Sequence, residues 1–321
     1  MRGGISSNLD DTVSVVVVGA AAMDTKGHAL EPLQPGTSIP GHVRVSVGGV
    51  GRNIAENLAR LGLQTTLLSA VGDDEAGRHL LAQARSSGVN VDHVLVNSGH
   101  ATAAYLAVLD HEGNLSVSVA DMDITAAVTP RYLYHRRRWL RQASMVAIDA
   151  NLFPETLAAL LRQTRKYGVP ICADPTSTSL APRLCPHLKD LYMITPNALE
   201  AEALCGQPVR DRDEALVAAK FLVGLGVEIA IITLADQGLV YATSEESGHI
   251  PAIECEIVDL TGAGDALTAT VIFGLLNDFP VDEAVRLGVS AAALTLQCRE
   301  TVCPDLSLDS LYDRQVDHLG G

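Results

Sequence analysis

Two patterns of apolar residues take turns along this chain. In the first, apolar positions run nearly unbroken: 13–22, 65–72 (TTLLSAVG), 144–150 (SMVAIDA), 170–175 (PICADP), 191–197 (LYMITPN), 228–235 (EIAIITLA) and 238–243 (GLVYAT). Short runs of this kind predict strands covered on both faces. In the second, apolar positions recur at helical spacing. Ile54, Ala55, Leu58 and Leu61 share one face of 51–62, and Gly62 stops the helix. Further helices are predicted over 75–88, 154–168, 198–205, 212–226, 265–277 and 282–297. Strands alternating with helices predict an α/β fold, a parallel sheet with helices on both faces.

Two stretches alternate with period two instead. Val43, Val45 and Val47 alternate with His42, Arg44 and Ser46. Val117 and Val119 alternate with Ser116 and Ser118 after a turn at Glu112-Gly113-Asn114. Such alternation predicts a sheet with one covered and one wetter face. It implies a small side sheet with strands from about 36–47 and 101–123, separate from the main one. Residues 1–12 read as a disordered leader, Pro and Gly cluster in loops at 170–186 and 300–305, and 306–321 form a C-terminal tail without a readable pattern.

Composition narrows the function. The 321 residues suffice for one large α/β domain or two small ones, and 47% are hydrophobic but only 4% aromatic, which suits a core of Ala, Val and Leu. Against 38 Asp and Glu stand 23 Lys and Arg, a net charge of −15 that argues against nucleic acid as the main partner. The run Arg136-Arg137-Arg138 reads as a solvated helix face. No apolar run reaches about 18 residues and the first twelve residues are polar, so no membrane partner is expected and a cytoplasmic location is. The six cysteines stand singly without CxxC spacing, which excludes a zinc-ligand pattern and predicts reduced, buried thiols.

Four motifs carry the candidate chemistry. In VDLTGAGDALTA (258–269), Gly262, Ala263 and Gly264 sit between a strand-like run and a helix. Such a turn points bare backbone N–H groups and the positive helix end at an anion. Asp265 at that helix mouth would repel a phosphate, unless it accepts the proton of an attacking hydroxyl; otherwise it is an ordinary N-cap. In GGVGRNIAENLARLG (48–62), Asn53 lies in the first helical turn after three glycines and offers both a donor and an acceptor to paired sugar hydroxyls. Asp24 follows the first strand, where open α/β sheets bind ligands. Asn197 and Glu200 share one side of a helix start, suited either to Mg²⁺ beside phosphates or to mutual capping. A dinucleotide fingerprint is missing, because the first strand ends VVVVGAAAMD with a single Gly, and no Walker A motif occurs.

In this order, over roughly 13–305, the motifs resemble the PfkB family of carbohydrate kinases, also called the ribokinase family; GGVGRN and DLTGAGD match its two signature regions. The resemblance implies the ribokinase-like fold: a central, mostly parallel sheet flanked by helices on both faces, with a small β-sheet lid. It implies ATP-dependent phosphorylation of a sugar or nucleoside, with Asp265 as catalytic base and Gly262, Ala263 and Gly264 as the anion hole. Asp24, Gly49 and Asn53 match the sugar-binding positions, and Asn197, Thr233 and Gly238 the nucleotide side. Glu200 matches a Mg²⁺ position, directly or through water, and Asp259 a position that helps bind a monovalent cation such as K⁺. The lid implies a homodimer. Val50 departs from the Lys of many ribokinases, and Ala235 from a Gly of many members. Within the family, SVGGVGRNIAENLARLG and SVSVADMDI look most like pseudouridine kinases, which implies phosphorylation of a pseudouridine 5′-hydroxyl, with Asp121 turned inward to read the substrate. Ribose, a ketohexose or another nucleoside are the alternative acceptors. A catalytically inactive nucleotide sensor is the alternative of a different class.

Overall fold

A computed structural model describes residues 13–319; the leader expected at 1–12 lies outside the described residues. The first apolar run does not make one strand. β1 (Ser14–Val18) ends before Gly19, and Ala22 already opens β2 (Ala22–Ala29), which belongs to a different sheet. β3 (Gly41–Gly48) returns antiparallel to β2 and feeds α1 (Val50–Arg60). The 65–72 run also divides, at Ser69, into β4 (Gln64–Leu68) and β5 (Ala70–Gly72). Next come α2 (Glu75–Ser86), β6 (Leu95–Asn97), β7 (Ala103–Leu109), β8 (Leu115–Asp121), α3 (Pro130–His135) and α4 (Arg137–Gln142). The second half alternates as its spacing predicts: β9 (Met145–Asp149), α5 (Pro154–Tyr167), β10 (Ile171–Asp174), β11 (Met193–Ile194), α6 (Ala198–Cys205), α7 (Arg212–Gly224), β12 (Ile229–Thr233), β13 (Leu239–Ala242), β14 (Ser247–Ile250), α8 (Ala263–Leu276), α9 (Val281–Leu296) and α10 (Leu308–Leu319).

Among the described residues, eight strands form the main sheet in the order β14-β13-β12-β11-β10-β9-β1-β4. It is parallel from β12 to β4, with β13 and β14 antiparallel at one edge. Successive residues of β1 serve opposite cores, as the pleat requires. Val16 and Val18 pack with Leu157 and Leu160 of α5, whereas Val15 and Val17 pack with Ile54 and Leu58 of α1 and Leu267 and Val271 of α8.

The side sheet has four strands in the order β3-β2-β7-β8. Its register divides the residues cleanly. Asp24 pairs with Ser46 and Tyr105, and Lys26 with Arg44 and Ala107, so these side chains share one face. Val43, Val45, Leu106, Val117 and Val119 occupy the other, and all are exposed. Sequence periodicity located β3, β7 and β8 but not β2, because AMDTKGHA puts polar residues on the face that meets the main domain.

Two expectations are corrected. The tail read as patternless contains α10, which packs on α9 and buries Leu311. The cysteines are not all reduced: the loop after α9 folds back, brings the Cα atoms of Cys298 and Cys303 to 5.6 Å, and the two are joined by a disulfide. Of the other four, Cys172 is buried and Cys185 exposed. Among the described residues no helix is long and apolar enough to cross a membrane.

Candidate active site

The signature residues gather at the C-terminal edge of the parallel strands, the ligand-binding edge of open α/β sheets. One buried carboxylate organises this edge. Asp149, at the end of β9, accepts hydrogen bonds from the backbone N–H groups of Ala20 (2.7 Å), Gly51 (2.9 Å) and Asn151 (3.0 Å). It thereby fixes the β1–β2 turn against the first turn of α1.

That turn of α1 presents Asn53, which is 2% exposed. Its side-chain amide donates to Oδ2 of Asp265 at 2.6 Å. Its Oδ1 accepts from the guanidinium of Arg52. Asp265 lies in the first turn of α8, 8% exposed, and burial pushes its carboxyl up to about 7 against the opposing pull of Asn53 and Arg52; Asp149 and Asp24 push the same way as burial. Gly262 caps α8 with φ 89°, and a Cβ there would run into the carbonyl of Thr301. Gly264 is different. A Cβ on it would meet nothing within 4 Å, so the space beside this residue is open, and it belongs to the large cleft along α8.

The lid supplies the opposite wall. Asp24 is not on a loop beyond β1, as the sequence suggested, but within β2, and it is 5% exposed. Burial raises its carboxyl to about 6, with Lys26 and Arg52 drawing it down. Gly48 pairs with Ala22 across the hairpin, and any side chain on it would fall onto the Asp24 carboxylate. Gly49 caps α1. Asp259, two residues before the turn at Thr261-Gly262 that opens α8, is paired with Lys26 of β2 at 2.6 Å.

On the other side of α8 runs a cleft of about 1470 Å³. Asn197, Thr233, Gly238 and Gly264 line it, and its apolar walls include Ile257 and Leu260, which are exposed. Asn197 and Glu200 form a reciprocal capping box at α6: Asn197 Oδ1 accepts from the Glu200 N–H and Glu200 Oε2 from the Asn197 N–H, both at 2.9 Å. Ala235, at the position where Gly was expected, sits at φ 52°, so the left-handed turn persists with a methyl group in it.

Residues 13–306 match the family profile described as pfkB family carbohydrate kinase. The chain belongs to the pfkB family of carbohydrate kinases. The pseudouridine kinase of Escherichia coli (strain K12) is 36% identical over 295 residues, 92% of this chain and 94% of that one. The guanosine-inosine kinase of Exiguobacterium acetylicum is 30% identical over 299 residues, 92% and 99% of the two chains. A carbohydrate kinase structure from Agrobacterium tumefaciens superposes with a TM-score of 0.80 at 31% identity, covering 96% and 97%. The fold expected from the motifs is the fold present, and this pfkB kinase is a phosphotransferase with an alcohol group as acceptor.

Not every expected residue joins the group. Asp121 pairs with Ala104 at the end of the lid's edge strand; register places it with Val119 on the face opposite Asp24, exposed, its Oδ1 accepting from the Asp123 N–H. Three further residues buried at this edge escaped the sequence reading. Arg52, 1% exposed, donates to the Gly48 and Val47 carbonyls, Thr301 Oγ1, Asn53 and Glu56, tying α1 to the lid hairpin and the 301 loop. Asp149 looked like the last residue of a strand. Asp174, ending β10, has a carboxyl pushed well above its ordinary range by burial first, then by Asp265 and Glu200. An acid at the end of a predicted parallel strand was the available signal for both.

Proposed function

We propose that this kinase transfers the γ-phosphoryl group of ATP to the 5′-hydroxyl of pseudouridine. One observation carries the chemical part: Asp265, raised to about 7 and hydrogen-bonded to Asn53, follows directly on Gly264, which lines the open cleft along α8. A base with that pKa is half-ionised at physiological pH and positioned to take a proton there. Asn53 and Asp24 hold the ribose hydroxyls, and an incoming hydroxyl competes for the Asn53 amide now spent on Asp265. The N–H groups of residues 262–264 face the charge that builds on the transferred group, each worth roughly 3–4 kcal/mol. The cleft beyond α8, with its apolar walls and the Asn197, Thr233 and Gly238 rim, takes the nucleotide.

Glu200 fits a Mg²⁺ that rides on the phosphates. The capping box uses only its Oε2, and among the described residues no three ligating side chains converge on a point. Mg²⁺ keeps much of its water and takes one or two carboxylates beside phosphate oxygens. When bound, it neutralises charge on the β- and γ-phosphates. The Lys26–Asp259 pair does not leave an equivalent place for K⁺.

Pseudouridine is favoured as acceptor by the 36% identity to a pseudouridine kinase along nearly the whole chain. The relative acting on guanosine and inosine makes a purine nucleoside the second reading. A panel of pseudouridine, uridine, inosine, guanosine, ribose and fructose, followed by ADP release and product mass, separates them. Pseudouridine should give the highest kcat/KM; a higher value for inosine or ribose would replace it. The exposed apolar face of the lid supports a homodimer formed through that face.

A further inference from the structure

Lys26 extends from lid strand β2 to a part of the chain 233 residues away. Its Nζ stands 2.6 Å from Oδ1 and 2.7 Å from Oδ2 of Asp259, and it also donates to Oγ1 of Thr261. An ammonium has three donors and no acceptor. Here the three donors meet three oxygens, so the cation is saturated. The carboxylate is equally committed, since Oδ1 also accepts the Thr261 N–H at 2.9 Å. Both side chains are largely shielded, 14% and 18% exposed, so the pair is worth more than a solvated surface bridge. The backbone here is anchored too: the N–H groups of Val258 and Asp259 donate to the carbonyl of Leu296. Gly262 and the mouth of α8 follow directly.

We infer that the Lys26 ammonium is a built-in monovalent cation at Asp259, so this kinase orders its phosphate-binding turn without K⁺ or any other free monovalent ion. A dissolved cation would have to displace a tethered one that already occupies both carboxylate oxygens, and the lid strand presents Lys26 at high effective concentration. Because the cation rides on the lid, Asp259 gains its counter-charge when the lid lies over the site. The inference rests on reading 259–264 as the phosphate cradle, not on which alcohol is phosphorylated.

The test compares phosphoryl transfer to the best acceptor of the panel in KCl, NaCl and tetramethylammonium chloride at equal ionic strength. Wild-type rates should agree within about twofold. Lys26→Met should lose about tenfold or more in tetramethylammonium, and KCl should restore a large part of that loss. A wild-type enzyme about tenfold slower without K⁺, or a Lys26→Met enzyme that is undiminished in tetramethylammonium or indifferent to K⁺, overturns the inference. Thermal melting of each protein with ATP alone gives a second reading independent of the acceptor. KCl should raise the midpoint of Lys26→Met over its value in tetramethylammonium and leave the wild type unmoved; a K⁺-dependent midpoint in the wild type overturns it. If no acceptor is turned over, the kinase reading fails while the melting comparison still decides the fate of the Lys26 cation.

Discussion

The side-chain amide of Asn53 donates to Oδ2 of Asp265 across 2.6 Å, though 212 residues separate them in the chain. The contact joins the two signature motifs: the first turn of α1 and the first turn of α8 meet so that an amide steadies a carboxylate. Asp265→Ala should therefore fold and bind ATP with near wild-type affinity, yet lose turnover by about 10³–10⁴-fold, the upper range for a positioned base. Steady-state kinetics beside ATP titration calorimetry measures both. Turnover near the wild-type level would remove Asp265 from the base role.

The same contact sets a pH dependence. Burial lifts the Asp265 carboxyl to about 7 and Asn53 pulls it down. The acid limb of kcat/KM should accordingly centre near 7, as a property of the Asp265–Asp174 pair and not of one group. Removing the amide donor in Asn53→Ala should move the limb to higher pH. A limb near 4 in the wild type would mean the base is not held in this environment.

Stability should follow the protons with a definite sign. Asp265 at about 7 and Asp24 at about 6 both lie above their unfolded value of 3.8. The folded state binds these protons more tightly, so the stability they contribute is complete below about pH 4 and is lost as pH rises through 6 and 7. Asp265→Asn, which cannot ionise, should melt higher than the wild type at pH 8, with the gap closing toward pH 4. Melting curves across that range check it, and a gap that widens on acidification would contradict the assignment.

Much of this molecule was legible in its residues. The second half of the chain, with α6 over Ala198–Cys205 and β9 to β13, follows directly from apolar spacing. Asp24 stood out because it follows the first apolar run, and Asn53 and Asp265 because each follows a glycine cluster that opens a helix, whereas Asp259 was marked by the family resemblance alone. What periodicity could not convey was inward-facing polarity. β2 hides Asp24 and Lys26 against the main domain, so its polar positions mimic a loop. Arg52 and Asp149 are buried ionisable groups that each tie the chain to a remote segment, Arg52 to Thr301 and Asp149 to the Ala20 and Gly51 N–H groups, and no local window contains those partners. Asp121 misled for the opposite reason: strand alternation gives two faces but does not say which one meets the site.

Asp149 offers the sharpest stability prediction. Its carboxylate takes three backbone N–H groups at a place with no exposure. Asp149→Ala orphans all three, at about 1–3 kcal/mol each. Partial rehydration leaves a loss of roughly 3–6 kcal/mol, a fall in Tm of about 10 °C. Chemical denaturation of the two proteins gives the number directly, and a loss under about 1 kcal/mol would show that the amides find other partners.

Gly48 should act on substrate without touching it. Its missing Cβ is what lets the Asp24 carboxylate lie flat against the β2–β3 hairpin. Gly48→Ala should push that carboxylate aside by about an ångström, a displacement that costs on the order of 100-fold in kcat/KM for the acceptor. The cleft proposed for the nucleotide lies beyond α8, so KM for ATP should stay within about twofold. Equal damage to both substrates would instead indicate a general collapse of the hairpin.

The lid's outer face supplies the last prediction. Val43 is 73% exposed, Val45 59%, and Val119 61%, and register gathers them with Leu106 and Val117 on one side of a four-stranded sheet. A contiguous apolar surface of this kind on a protein with net charge −15 is a place for association, since scattered apolar residues would need no explanation but a patch does. A two-fold pairing buries the same patch on both copies. Light scattering at micromolar concentration should give the mass of a dimer, and Val45→Asp with Val119→Asp should give a monomer that melts within a few degrees of the parent, because both side chains are already in water in the single chain. A wild-type monomer would leave this face without a partner of its own kind.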